Sequence, residues 1–128
     1  MDVLAHLSDE WSVVGLAAGS RWEQLAQQAN RFRPATIAIS SAGLQKETSK
    51  ALAYPCEVLG GPDSMVRLVE TVDCDCVICA VVGSQGLSAA LRAAELGRRL
   101  ALANKEALVI AGSLLMPLAR RSGVQIIP

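Results

Sequence analysis

The segment Asn104-Lys105-Glu106 lies directly after a short apolar run, 100–103, and directly before a helix-forming run. Asn104 suits the N-cap of that helix, because its side-chain oxygen can accept a backbone N–H. Glu106 is favoured at the positive end of a helix dipole, whereas Lys105 is not. The segment therefore predicts either a solvated lysine at a helix start or a lysine that holds an anion against the helix.

Two other segments, Gly19-Ser20-Arg21 and Gly83-Ser84-Gln85-Gly86, also lie between an apolar run and a predicted helix. In an open parallel sheet, ligands bind beyond the carboxyl ends of the strands. The backbone N–H groups of helix N-termini at that edge favour phosphates. These segments are therefore the candidates for a phosphate-binding site.

Arg21 carries a further indication of the ligand. In dinucleotide-binding folds, an acidic residue at the end of the second strand binds the free ribose hydroxyl of NAD, but no Asp or Glu follows the run 12–18. Ser20 and Arg21 suit a 2′-phosphate instead, which an arginine can bind bidentately, so NADP is favoured. The alternative is an exposed loop arginine without a ligand, since no G-x-G-x-x-G motif accompanies it.

The elements that must position these segments alternate between apolar strands and helices with one apolar face. This alternation favours an α/β fold with a doubly wound parallel sheet and helices on both faces. The apolar run that ends at Ala18 indicates a strand buried on both faces. Strands are expected near 13–18, 35–39, 56–59 (at an edge), 77–82, 100–103 and 124–127, and helices near 1–6, 22–32, 44–53, 62–72 and 87–96 and from Asn104 onward, interrupted at Pro117.

A complete dinucleotide-binding fold would begin with a strand and a glycine-rich turn before residue 1. The helix predicted over 1–6 has no capping residue before it, so we expect residues 1–128 to form a partial domain that lacks its first strand. In a doubly wound sheet that strand lies between those predicted at 13–18 and 77–82. We expect these two strands either to pair directly or to flank a vacant strand position.

Cys74, Cys76 and Cys79 lie close enough in sequence to suggest a metal site. In a strand, however, Cys74 and Cys76 share one face while Cys79 points to the other. Structural zinc usually takes four ligands from two paired clusters, and the single histidine, His6, is distant in sequence. We predict no metal site and expect the cysteines to be small buried residues of the core.

The composition excludes several classes of function. The 128 residues contain 12 Lys and Arg and 12 Asp and Glu, so the formal net charge is zero, unlike the clustered basic excess of nucleic-acid-binding domains. No apolar run reaches membrane-spanning length, and the N-terminus lacks the regions of a signal peptide. We expect one cytoplasmic domain that binds neither nucleic acid nor a membrane.

Four segments together resemble one enzyme family. They are Val13-Val-Gly-Leu-Ala-Ala-Gly19, Arg31-Phe-Arg-Pro34, Ala80-Val-Val-Gly-Ser-Gln-Gly-Leu87 and, most specifically, Leu102-Ala-Asn-Lys-Glu-Ala-Leu-Val-Ile-Ala-Gly112. In this order they are similar to segments of the 1-deoxy-D-xylulose 5-phosphate reductoisomerases, in which the last reads Leu-Ala-Asn-Lys-Glu-Ser-Leu-Val.

The resemblance implies part of a Rossmann-like NADPH-binding domain. The complete enzyme of that family is a homodimer that uses NADPH and Mg or Mn. It isomerises and reduces 1-deoxy-D-xylulose 5-phosphate, a sugar phosphate, to 2-C-methyl-D-erythritol 4-phosphate in isoprenoid synthesis. The site residues that the resemblance implies are Gly19, Ser20 and Arg21 for the 2′-phosphoribose of NADPH, Asn104 and Glu106 for the cofactor, and Lys105 for the substrate.

The sequence departs from the family pattern in two places. The family's Gly-Ser-Thr-Gly-Ser-Ile-Gly loop, which cradles the pyrophosphate, is absent, and its metal-binding Val-Asp-Ser-Glu segment would begin after Pro128. We therefore expect no catalytic residue and no metal ligand in this chain, and no turnover by the chain alone. The alternative function is a non-catalytic regulatory or interaction domain, since a Rossmann-like fold does not by itself fix a function.

Overall fold

The computed structural model describes residues 12–79, 84–102, 117–118, 120–123 and 126–127. Within these ranges, strands and helices alternate as the sequence predicts. The strands are β1 (Gly15–Ala18), β2 (Thr36–Ile39), β3 (Glu57–Gly60), β4 (Cys76–Cys79), β5 (Arg99–Leu102) and β6 (Ile126–Ile127). The helices are α1 (Trp22–Phe32), α2 (Gln45–Lys50), α3 (Ser64–Thr71) and α4 (Ser84–Glu95), and a 3₁₀ turn over Ala42–Leu44 precedes α2.

Two helices are shorter than predicted. The helix expected over 44–53 ends at Lys50, with Ala51 as its C-cap. The helix expected from Pro62 begins at Ser64, whose N–H donates to the Gly61 carbonyl at 3.1 Å and so closes a turn over Pro62. The helix predicted over 1–6 and the start of the one predicted from Asn104 lie outside the described residues. Residues 117–118 and 120–122 are helical, so Pro117, where an interruption is predicted, itself lies in helical backbone.

The described strands form two parallel three-stranded sheets, with orders β1-β2-β3 and β4-β5-β6. One sheet lies in each of two compact units, an N-terminal unit (Met1–Ser64) and a C-terminal unit (Met65–Pro128). β3 is at the edge of its sheet, as predicted. β1 and β4 belong to different sheets, so their direct pairing, one of the two outcomes expected above, does not occur among the described residues.

The core of the N-terminal unit forms around β2, the strand with a partner on each side. All four of its residues are buried, and its register aligns Ile37 with Leu16 of β1 and with Val58 of β3. Leu25 and Ala29, one helical turn apart on α1, pack in the same cluster. The 3.6-residue period of α1 thus directs the helix onto the sheet.

The prediction of strands buried on both faces is wrong for β1. Ala17 of β1 is exposed, and in the C-terminal unit Ile78 of β4 is 52% exposed. Among the described strands, β1 and β4 each have a partner on one side only, whereas the fully buried β2 has two. An apolar run in the sequence therefore did not show whether a strand has a neighbouring strand on both sides or on one side only.

The core of the C-terminal unit is built from small side chains on α4. Ala89, Ala90, Ala93 and Ala94 cluster with aliphatic residues of β5 and α3. Gly97 ends this helix with φ 78°, in the left-handed region that favours glycine, as predicted. Among the helices that the structure describes, none combines the length and apolar composition needed to cross a membrane.

Gly61 connects β3 to α3 with φ 111° and donates its N–H to the Ile39 carbonyl at 3.1 Å. A Cβ is disfavoured in that conformation, so we expect Gly61→Ala to lower the free energy of unfolding by about 1–3 kcal/mol. Gly43 is the matched control: it has no positive φ, and a Cβ there would meet no atom within 4 Å. Gly43→Ala should change stability by less than about 0.5 kcal/mol. Urea unfolding of both variants measures the difference, and equal losses would contradict the role assigned to Gly61.

Candidate functional site

The carboxyl ends of β1 and β2 form a polar edge of the N-terminal unit. The N–H of Ser40 donates to the Ala18 carbonyl and that of Ser41 to the Gly19 carbonyl, both at 3.0 Å. These two bonds extend the parallel register of the strands into the loops that follow them. They bring the predicted segment Gly19-Ser20-Arg21 beside a second loop.

The predicted segment leads directly into α1. Arg21 occupies the N-cap position without a side-chain capping bond, and the Trp22 N–H donates to the Ser20 carbonyl at 2.9 Å. Other N–H groups in the first turn of a helix have no intrahelical partner, and they attract anions. A Cβ on Gly19 would meet no heavy atom within 4 Å, so the space beside it is open.

The charges at this helix start are arranged for an anion. Arg21 is exposed, and its guanidinium makes no ion pair within the described ranges. A cation at the positive end of a helix dipole is unfavourable unless an anion lies near both. Glu23 in the first turn offsets only part of that positive potential. A phosphate bound between Arg21 and the first turn of α1 would interact favourably with the guanidinium charge and with the positive end of the helix dipole.

Ser40 is a candidate that our reading of the sequence missed. Its side chain is 6% exposed, and its Oγ has no hydrogen-bond partner among the described residues, a condition shared by Ser64 at the start of α3. Buried hydroxyls are usually satisfied, so Ser40 is an additional candidate residue at this edge. The sequence shows only that two serines directly follow the apolar run 35–39, and this does not mark either of them as buried without a partner.

In the C-terminal unit, the predicted segment 83–86 is described in part. A helix follows β4 as predicted, but α4 begins at Ser84, three residues before the predicted start, so Ser84, Gln85 and Gly86 lie in its first turn and not in a loop. The Cys79 thiol donates to the Gly86 carbonyl at 3.7 Å. This contact joins the end of β4 to the first turn of α4, while Gly83 lies outside the described residues.

Asn104, Lys105 and Glu106 also lie outside the described residues. β5, the strand predicted to precede them, ends at Leu102. Their contacts with cofactor and substrate remain predictions. Within the described ranges, no three His, Cys, Asp or Glu side chains are grouped so that they could hold a metal ion.

Comparison with known proteins identifies the family. Residues 1–112 match the family model described as 1-deoxy-D-xylulose 5-phosphate reductoisomerase. The chain is 36% identical over 132 residues to the enzyme of that name from Nostoc sp., covering all of this chain and 33% of the relative. It is 39% identical over 131 residues to that from Janthinobacterium sp., again over its whole length and 34% of the relative.

A solved structure agrees with the sequence comparison. The reductoisomerase from Zymomonas mobilis in complex with NADPH superposes with a TM-score of 0.90 at 32% identity, over 99% of this chain and 34% of that one. The chain thus spans about a third of the length of the relatives it matches. Its fold is that of their Rossmann-like, NADPH-binding domain, and the chain belongs to the 1-deoxy-D-xylulose 5-phosphate reductoisomerase family.

Proposed function

We propose that this chain forms part of the NADPH-binding domain of an enzyme that converts 1-deoxy-D-xylulose 5-phosphate to 2-C-methyl-D-erythritol 4-phosphate. The observation that carries the proposal is the open, cationic edge at Gly19, Ser20 and Arg21, at the N-terminus of α1. The matching fold of the Zymomonas mobilis enzyme, whose structure contains NADPH, supports it.

The residues at this edge have separate tasks in the proposed site. The Arg21 guanidinium and the Ser20 hydroxyl bind the 2′-phosphate, for which the first turn of α1 supplies further N–H donors. The open space at Gly19 lets the ribose approach the backbone. Since no carboxylate stands at the end of β1 to accept a free 2′-hydroxyl, the site prefers NADPH to NADH. NADPH, when bound, supplies the hydride for the reduction.

The proposed site also includes three residues after β5. Asn104 and Glu106 contact the cofactor, and Lys105 contacts the substrate. Mg²⁺ is present in a solved reductoisomerase complex together with NADPH and fosmidomycin. The described residues of this chain offer no set of ligands for a metal ion. We therefore assign them no part in metal chemistry.

The activity can be tested in a chimaera in which this chain replaces the matching third of the Zymomonas mobilis enzyme. We expect the chimaera to oxidise NADPH when 1-deoxy-D-xylulose 5-phosphate is added, and to form 2-C-methyl-D-erythritol 4-phosphate. A folded chimaera without turnover would favour a non-catalytic regulatory or interaction domain.

The chain alone should bind NADPH weakly or not at all in calorimetry, and micromolar affinity would show that the family's glycine loop is dispensable.

Arg21→Ala in the chimaera should weaken NADPH binding by roughly 10- to 100-fold, because a hydrogen bond to a charged group contributes about 1.5–3 kcal/mol. NADH binding should change little, since NADH lacks the 2′-phosphate. The control is Arg31→Ala, which removes the same charge from the last turn of α1, about 15 Å along the helix from Arg21. Equal losses for NADPH and NADH would reject Arg21 as the residue that recognises the 2′-phosphate.

We further propose that the protein acts in the cytoplasm and that the complete enzyme is a homodimer. The homodimer rests on the family resemblance. Sedimentation of the chimaera tests it, and a monomer would contradict it.

A further inference from the structure

Two residues of opposite charge, Arg21 and Glu23, lie two positions apart at the start of α1, and both are exposed. Their side chains form no ion pair with each other or with another described residue. Side chains two positions apart on a helix do not face each other, and Trp22 between them is half-buried against the core cluster of the N-terminal unit. Arg21 is therefore available to an anion, and it does not neutralise Glu23.

The Glu23 carboxylate has a favourable position when no ligand is bound. It lies in the first turn of α1, where unpaired N–H groups and the helix dipole attract negative charge. The Cα–Cβ bonds of an α-helix tilt toward its N-terminus, so the Glu23 side chain extends toward the end of α1 that carries Arg21. In the empty site, this carboxylate partly takes the place of a bound anion.

The same carboxylate opposes a phosphate bound between Arg21 and the first turn of α1. Helix geometry separates the two negative groups by about 6–9 Å, which is comparable with the Debye length of about 8–10 Å in ordinary buffers. A phosphate monoester carries a charge of about −1.5 to −2 at neutral pH, whereas a ribose hydroxyl is neutral. The repulsion therefore acts on the 2′-phosphate of NADPH and not on the 2′-hydroxyl of NADH.

We propose that Glu23 is a specificity-determining residue that lowers the affinity for a 2′-phosphorylated cofactor and so limits the preference for NADPH over NADH. This inference rests on the proposed function, because it requires the 2′-phosphate to bind beside Arg21. The guanidinium of Arg21 attracts that phosphate and the carboxylate of Glu23 repels it. The oxidised cofactor carries the same 2′-phosphate, so the repulsion also favours its release after the reaction.

The test measures the affinities of the chimaera described above for NADPH and NADH, in buffer of low salt concentration. Glu23→Gln keeps the size of the side chain but removes its charge. We expect NADPH to bind roughly three- to tenfold more tightly, as for charges at this separation near a protein surface, and NADH affinity to change less than about twofold.

The matched control is Glu57→Gln. It removes the same charge from an exposed position, the first residue of β3, which lies at the amino edge of the same parallel sheet. The proposed site lies at the carboxyl edge, so Glu57→Gln should leave both affinities unchanged.

Salt separates the effect of charge from a change in structure. At about 1 M NaCl the Debye length falls to about 3 Å, so the tighter binding of NADPH by Glu23→Gln should disappear. Tighter binding that persists at this salt concentration would show that the variant acts through altered structure, and it would overturn the proposal.

A second measurement uses the intact chain without cofactor. Because a carboxylate is favourable at the positive end of a helix, Glu23→Gln should lower Tm by roughly 1–5 °C at low salt concentration. Glu57→Gln should leave Tm nearly unchanged. Glu23 thus stabilises the empty protein and weakens NADPH binding, and an unchanged or higher Tm for Glu23→Gln would overturn the proposal.

The outcomes separate this inference from the proposed function. If the unchanged chimaera does not bind NADPH, the proposed function fails and the inference fails with it. If the chimaera binds NADPH but Glu23→Gln and Glu57→Gln have equal effects, only the inference is overturned. A loss of NADH affinity in Glu23→Gln would also overturn it, because the carboxylate would then be an acceptor for the free 2′-hydroxyl.

Discussion

Replacing Leu100 with alanine is expected to lower the free energy of unfolding of the C-terminal unit by about 2–5 kcal/mol. Leu100 lies on β5, between β4 and β6, and its side chain is 0% exposed. The loss has two parts: the apolar transfer energy of the deleted atoms, and the cavity that they leave.

The surroundings of Leu100 favour the upper half of that range. The helix in the same core cluster presents Ala93 and Ala94, both 0% exposed. Alanine has no rotatable side chain that could move into the space that Leu100 leaves. Since the cost of a core truncation depends on how far the site can collapse, a cluster rich in alanine should relax little.

Leu96→Ala is the matched control, because Leu96 follows α4 and is 39% exposed. It should cost less than about 1 kcal/mol. Urea unfolding measures both losses, and hydrogen exchange should show faster opening of the β4 and β5 amides in Leu100→Ala. Similar losses for the two variants, or a loss confined to the N-terminal unit, would contradict the core assignment.

The sequence predicted the order of the elements because each described strand contains a short run of apolar residues between polar turns. β2 shows the rule at its best, since a strand flanked on both sides needs apolar residues on both faces. The same rule failed for Ile78, whose exposure depends on the neighbours of β4 in the ladder. The apolar composition of β4 therefore did not show how many neighbouring strands it has.

The residues of the candidate site also differ in whether the sequence alone could predict them. Arg21 could be predicted from the sequence, because its type, its place after a strand and the absence of an acidic residue are all local features. Ser40 was missed, because its importance lies in burial without a partner, which only the folded chain reveals.

Lys105→Ala in the chimaera should lower kcat/KM by at least about 100-fold, the loss typical when one preorganised electrostatic group is removed from an active site. The sequence predicts Lys105 at the start of a helix, where a cation opposes the helix dipole, so Lys105 should add little to stability. We propose that it neutralises charge on the sugar phosphate or on its reacting oxygens. That charge is absent when no substrate is bound, so Tm should change little.

Lys50→Ala is the matched control, since Lys50 is an exposed lysine at the end of α2, and it should alter neither kinetics nor Tm. Steady-state kinetics and thermal unfolding of both variants separate the two interpretations of Lys105. If the lysine is only solvated, Lys105→Ala will behave like the control in kinetics, and any effect will appear in Tm alone. A lysine that binds the substrate gives the opposite pattern, because its favourable interaction forms only when an anion is bound against the helix.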